Sequence, residues 1–257
     1  MLKNKNIQVL FIFLSILFFT LYFVGKLNGW FIVLALFIWL ILIVWGAFDI
    51  RSSYFIKSYC KADCFEKKII LTFDDGPTLY TNNILDILFK YNVKATFFCI
   101  GNQIEKHPDI FKRIIDEGHL VGNHSFSHNQ TFGFWSSLNI LEDITKNDSV
   151  IKDFLNKRPL FFRPPFGVTN PNIAKAIFKS GHNVIGWNIR SLDTVIEDES
   201  KIFNRIIDKI KPGAIVLLHD TSLKTANVLE ELLLFLQNQN YIVTPLDELL
   251  NLKAYEV

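Results

Sequence analysis

The chain opens with two unbroken apolar runs and then changes character. Ile7 to Val24 reads IQVLFIFLSILFFTLYFV and Trp30 to Phe48 reads WFIVLALFIWLILIVWGAF, neither with a charged residue. A helix needs about 20 apolar residues to cross the hydrocarbon core of a bilayer, and each run is near that length. Neither run has a polar face, which argues against a buried hairpin of a soluble core. Trp30 and Trp45 fall near the ends of the second run, where interfacial aromatics belong. The first run is long for the apolar core of a signal peptide, and no small-x-small cleavage pattern follows it. The pattern predicts transmembrane helices over 7–24 and 30–48, joined by the loop GKLNG. Residues 1–48 thus form a membrane-anchoring helical hairpin with both termini on one side.

Residues 49–67 read as a polar juxtamembrane linker. Beyond them, apolar runs alternate with amphipathic stretches. IILTF, KATFFCI, PLFF, HNVIGW, AIVLL and YIVTPL are short and β-rich. HPDIFKRIIDEGH has helix punctuation, with Pro108 near its first turn and Gly118 at its end. NPNIAKAIFKSGH repeats the device with Asn170, Pro171 and Gly181, and VLEELLLFLQNQN is a third helical stretch. Strands alternating with helices predict an α/β domain with a parallel sheet.

Composition changes this picture little. The 257 residues suffice for one sizeable core plus an appendage. A net charge of +2, with no basic stripe interleaved with aromatics, gives no reason to expect a nucleic-acid partner. Three cysteines do not make a disulfide scaffold. Cys60 and Cys64 are close enough to pair, and their spacing equally suits one helical turn. Cys99, inside ATFFCI, reads as a buried apolar residue.

In parallel α/β folds reactive groups gather where strands end. Asp74 and Asp75 follow IILTF, and His124 and His128 follow HLVGN. Arg163 follows PLFF, Arg190 and Asp193 follow VIGWN, and His219 and Asp220 follow AIVLL. Singly, each has an ordinary explanation. Asp-Asp-Gly-Pro is a turn sequence, two histidines four apart share one face of a helical turn, and an arginine before two prolines makes a surface ion pair. Together they make a reactive rim. Two imidazoles and one carboxylate suit a catalytic Zn²⁺ or a similar divalent ion. The second aspartate is then free to take the proton of an attacking water. His219, the remaining histidine that ends a strand, is the candidate acid for a leaving group. His107 and His182 stand at helix ends and read as structural.

The motifs TFDDGP, HSFSH, RPPFG and LLHD resemble, in order and rough spacing, those of the polysaccharide deacetylases. These carry the NodB homology domain and form carbohydrate esterase family 4. The resemblance covers about residues 68–252 and leaves out the two spans. It implies a distorted (β/α) barrel with fewer strands than the usual eight. It makes Asp74 the general base and Asp75, His124 and His128 the metal ligands, with Zn²⁺ the first choice and Co²⁺, Mn²⁺ or Ni²⁺ the alternatives. Arg163 corresponds to the arginine that orients the base, and Phe166 to the residue whose backbone N–H faces the oxyanion. Leu217 matches the wall of a methyl pocket, and His219 the acid. One motif departs from the family pattern: WNIRSLDT has Arg190 where an aspartate is common and Thr194 in place of a tryptophan, while keeping Asp193 to charge His219.

The activity so implied is metal-dependent hydrolysis of N-acetyl groups from an acetylated glycan: peptidoglycan, a chitin-like oligomer or another polysaccharide. Deacetylation or deformylation of a lipid-linked sugar, O-acetyl ester cleavage and glycan binding without catalysis are the competing expectations. Lys3 and Lys5 before the first span and Arg51, Lys57, Lys61, Lys67 and Lys68 after the second favour a cytoplasmic domain by the positive-inside bias. A glycan substrate favours the opposite face, and the extracytoplasmic side is the expectation adopted.

Overall fold

Lys68–Asp74 forms the middle strand of a parallel sheet because its residues are apolar on both faces, as a strand covered on two sides requires. The computed structural model describes residues 4–256. The strands are β1 (Ser58–Tyr59), β2 (Lys68–Asp74), β3 (Thr96–Cys99), β4 (Leu120–Asn123), β5 (Phe161–Phe162), β6 (Asn183–Ile185), β7 (Ile189–Arg190), β8 (Ile215–His219) and β9 (Ile242–Val243). They run in the order β1-β6-β5-β4-β3-β2-β8-β7, with β9 pairing β2 off this path, and every strand pair is parallel. Among the described residues nine strands, rather than fewer than eight, make the sheet. Among the described residues β1 and β7 do not pair with each other, so the curved sheet stays open as a half-barrel.

The helices are α1 (Asn4–Phe23), α2 (Trp30–Phe48), α3 (Thr81–Lys90), α4 (Gly101–Lys106), α5 (Pro108–Asp116), α6 (Ser137–Leu155), α7 (Pro171–Ser180), α8 (Glu199–Ile207), α9 (Leu223–Asn238) and α10 (Leu246–Leu250). Local chemistry sets their ends. The Asn170 side chain caps α7 by accepting from the Ile173 N–H at 2.9 Å, Pro171 opens the helix, and Gly181 closes it at φ +75°. At that φ a side chain would be strained, so glycine fits. α3, α5 and α9 bury their apolar faces against one side of the sheet, in the cluster that includes Leu71, Phe73, Phe97, Leu218 and Leu229.

α1 and α2 are each long and apolar enough to cross a membrane, and about 6 % of each candidate span is buried within the protein. They pack on each other, with Phe11 stacked on Trp39 at a ring separation of 4.8 Å. Residues 49–67, expected as a polar linker, are instead folded onto the domain. Ile50, Tyr54 and Ala62 are buried, β1 extends the sheet beyond β6, and the Ala62 N–H donates to Gly213 O at 2.8 Å. The reason is the free edge of β6, whose unpaired backbone groups a nearby extended segment can satisfy. Cys60 and Cys64 are free thiols.

Candidate active site

All the strands point one way, so their C-terminal ends share a rim, and register fixes who sits beside whom. Asp74 at the end of β2 is the lateral partner of His219 at the end of β8 and of Phe98 on β3. Beyond β4, the His124 N–H donates to Cys99 O at 3.0 Å and the Arg163 N–H to Asn123 O at 3.0 Å, carrying the ladder one residue further. Asp74, Asp75, His124, His128, Phe166, Leu217 and His219 thereby line one cavity of about 180 Å³, together with Trp187, Arg190 and Thr194.

Asp75 has a left-handed backbone, φ +75°, which breaks the alternation of the strand, so both adjacent carboxylates reach the same nitrogen, His124 Nε2. Its Oδ1 lies 3.3 Å from Nε2 of His124 and 3.3 Å from Nε2 of His128. The three ligand atoms lie within 4.8 Å of one another. Donors each about 2.0–2.1 Å from one tetrahedral ion are separated by roughly 3.3 Å, the spacing of Asp75 from both imidazoles, so the set can hold a divalent ion. The tautomers agree. His124 Nδ1 sits 2.7 Å from the carbonyl oxygen of Arg163, which can only accept, so the proton is on Nδ1 and the Nε2 lone pair faces the ligand cluster. Burial and the charge of His124 push His128 down to about 4, leaving a neutral imidazole able to ligate. Burial would also lower His124, but the carboxylates of Asp74 and Asp75 outweigh it and raise it. Burial opposes ionisation of Asp75, yet the hydrogen bond and charge of His124 hold its carboxyl well below the usual range.

HSFSH is not the helical turn that would explain its two histidines as an ordinary pair. The segment is a loop with left-handed Ser125 (φ 66°) and His128 (φ 47°). It is clamped by α6, which sequence periodicity had not marked. Asp143 Oδ1 accepts from the N–H groups of Phe126 (2.7 Å) and Ser127 (3.3 Å), and Asn147 Nδ2 donates to Cys99 O and Ser125 O, each at 2.9 Å.

Arg163 is fully buried, and each of its three side-chain nitrogens donates a hydrogen bond. Nη1 donates to Asp74 Oδ1 at 2.7 Å and to Thr72 Oγ1 at 2.8 Å, Nε to Ile185 O and Nη2 to Gly186 O, each at 3.0 Å. Its guanidinium carbon also lies 4.1 Å from the Phe98 ring centroid. Such a cation fixes one oxygen of Asp74, and the other, Oδ2, lies 3.8 Å from His124 Nε2. Across the cavity, His219 Nδ1 is 2.7 Å from Asp193 Oδ1. Burial alone would lower His219, but the Asp193 carboxylate raises it to about 9. The same Asp193 accepts from Ser191 Oγ at 2.7 Å and Thr225 Oγ1 at 2.9 Å. Thr72 lies in TFDDGP, Ser191 in WNIRSLDT and Thr225 in no motif, and none stands out, because a hydroxyl carries no sign of the side chain it will bond.

Phe166 is left-handed at φ 60°, and its ring sits 4.8 Å from that of His128. Leu217 is buried in the cavity wall. His107 joins α4 to α5 and His182 pairs with Asp148 at 3.1 Å, both outside the cavity. Asp220, beside His219, is buried too. Burial pushes it up to about 7, against a hydrogen bond of 2.5 Å from Thr81 Oγ1. A Cβ on Gly76 would meet its carboxylate at 2.0 Å, so only glycine fits there.

The profile of the family described as polysaccharide deacetylase matches residues 61–185. The chain is 33 % identical over 190 residues to the Bacillus subtilis peptidoglycan-N-acetylmuramic acid deacetylase PdaA, covering 72 % of each. It is 36 % identical over 184 residues to the Listeria monocytogenes peptidoglycan-N-acetylglucosamine deacetylase PgdA, covering 71 % of this chain and 39 % of that protein. The structure of the peptidoglycan deacetylase PdaC from Bacillus subtilis superposes with a TM-score of 0.67 at 32 % identity, covering 72 % of this chain and 90 % of that one.

Proposed function

Because the chain belongs to the polysaccharide deacetylase family, we propose that it removes N-acetyl groups from amino sugars of a glycan, peptidoglycan first, releasing acetate and a free amine. The observation that carries this reading is the meeting, in one cavity, of a three-donor metal set, a carboxylate held by a buried arginine and an imidazole held charged by a second carboxylate. Asp75, His124 and His128 would hold the divalent ion, Zn²⁺ first, which when bound would polarise the acetamide carbonyl and acidify the attacking water.

The chain's own groups do the rest. Asp74, oriented by Arg163, takes the proton of the water. The Phe166 N–H donates to the carbonyl oxygen as negative charge develops on it, a role that needs no particular side chain. Leu217 offers the acetyl methyl an apolar wall. His219 gives a proton from Nε2 to the departing nitrogen, and Asp193 keeps that proton available until it is needed.

α1 and α2 cross the bilayer in this reading. Their exposed apolar flanks would be a large uncovered patch on a soluble protein. The catalytic domain faces the extracytoplasmic side, where a glycan of this class lies. A reporter fused after Val257 that is active only in the cytoplasm would reverse that assignment. The activity is tested with the full chain in detergent, following acetate release from peptidoglycan, an N-acetylglucosamine oligomer and p-nitrophenyl acetate. Release from an acetamide sugar is expected. Cleavage of the ester alone makes the protein an O-acetyl esterase.

A further inference from the structure

We propose that the notch between the end of α2 and the sheet edge binds the uncompensated phosphate of an anionic membrane lipid, immediately beside the catalytic cavity. The inference rests on the reading of α1 and α2 as membrane spans.

The notch has a volume of about 350 Å³. Trp45 and Phe48 of α2 form one wall, and Arg51, Arg190, Arg205 and Lys209 bring four cations to it. Arg51 is paired with Asp49 at 2.7 Å. Among the described residues no carboxylate lies within ion-pair distance of Arg190, Arg205 or Lys209. Arg205 is not loose, since its Nε donates to Arg190 O at 2.9 Å. Converging guanidinium and ammonium donors suit the several oxygens of a phosphate better than the two of a carboxylate.

The position identifies the source. α2 is fixed to the domain rather than hung from it: the Thr169 N–H donates to Ala47 O at 2.9 Å and Thr169 Oγ1 to Gly46 O at 3.2 Å. The notch therefore opens where an apolar, exposed helix leaves the domain, with Phe48 73 % exposed at its mouth. A phosphate there has a hydrocarbon environment for its tail along α2. A soluble anion has no use for that wall. Trp187 and Arg190 line both the notch and the catalytic cavity. A lipid phosphate held there would seat the catalytic cavity at the bilayer surface.

The test reconstitutes the full chain in phosphatidylcholine nanodiscs doped with phosphatidic acid and measures, by mass spectrometry, which lipid remains with the protein through detergent exchange. Phosphatidic acid should be enriched about tenfold over phosphatidylcholine. Arg205→Gln with Lys209→Gln should lose that enrichment, and Arg205→Lys with Lys209→Arg should keep it. Millimolar inorganic phosphate should not displace the lipid. Insertion without enrichment, enrichment that survives the double glutamine variant, or displacement by inorganic phosphate each overturn the proposal. A chain that stays out of the nanodiscs overturns the membrane reading instead, and the lipid source with it.

Discussion

His219 and Asp193 are joined twice: Nδ1 to Oδ1 at 2.7 Å, and the His219 backbone N–H to Oδ2 at 2.8 Å. One carboxylate thus fixes both the position of the strand end and the protonation of the ring it carries. Burial works against the charged ring, yet Asp193 keeps it protonated to about pH 9. As an acid it should support turnover below that pH and fail above it. Asp193→Asn removes the holding charge, so burial dominates. The alkaline limb of the pH–rate profile should move to lower pH, with turnover at pH 8 down roughly 10²–10⁴-fold. An unmoved limb would detach His219 from the acid role. The stability link has the same sign: a raised histidine contributes fully below its unfolded value of 6.5 and loses that contribution as pH rises through about 9.

The adjacent aspartates should separate under metal titration. Asp74→Asn leaves the three donors intact, so ion binding should persist while acetate release falls roughly 10²–10⁴-fold. Asp75→Asn replaces a carboxylate donor by a neutral amide, so added Zn²⁺ should rescue it in part. Rescue of Asp74→Asn instead would exchange the two roles. Chelation should abolish turnover in the unaltered protein. Bound zinc, counted by mass spectrometry, should decline as pH falls, because the ion displaces the proton that Asp74 and Asp75 favour on His124.

Removing the buried guanidinium should cost more stability than any surface change. Arg163→Met leaves the Asp74 carboxylate and two backbone carbonyls without their donors. A loss of about 3–5 kcal/mol is expected in chemical denaturation followed by circular dichroism. Adding Asp74→Asn should recover part of it, because the stranded charge is gone. A loss within about 0.5 kcal/mol, the range of surface substitutions, would contradict the arrangement.

Docking of α2 on the domain can be probed at Gly46. A Cβ there would lie 2.4 Å from the Tyr54 ring, which is itself buried. Gly46→Ala should therefore cost about 1–3 kcal/mol by overpacking and expose residues 49–57 to limited proteolysis. Unchanged resistance to protease would mean that the helix end is not held as described.

Much of this protein is legible in its sequence because the decisive signals are local. Two uncharged apolar runs made the two N-terminal helices readable, Pro and Gly punctuation marked α5 and α7, and apolar runs followed by acids, imidazoles and an arginine marked the strand ends. Parallel pairing gathers such ends on one rim, so Asp74, Asp75, His124, His128 and His219 could be named from order, whereas Phe166 and Leu217 follow only from the family resemblance. Other features have no local signal. Strands of two residues, such as β1 and β7, are too short to show a period and exist only because a neighbouring edge pairs with them. The same holds for residues 49–67, which a polar composition disguised as a linker. The clamp of α6 on the histidine loop and the hydroxyls of Thr72 and Thr225 depend on partners far along the chain. The sequence by itself determined which side chains are available for the chemistry. Only the tertiary structure decided the 3.3 Å spacing of the donors, the tautomer of His124 and the meeting of α2 with Arg190, Arg205 and Lys209, because distances between remote residues are set by packing and not by order.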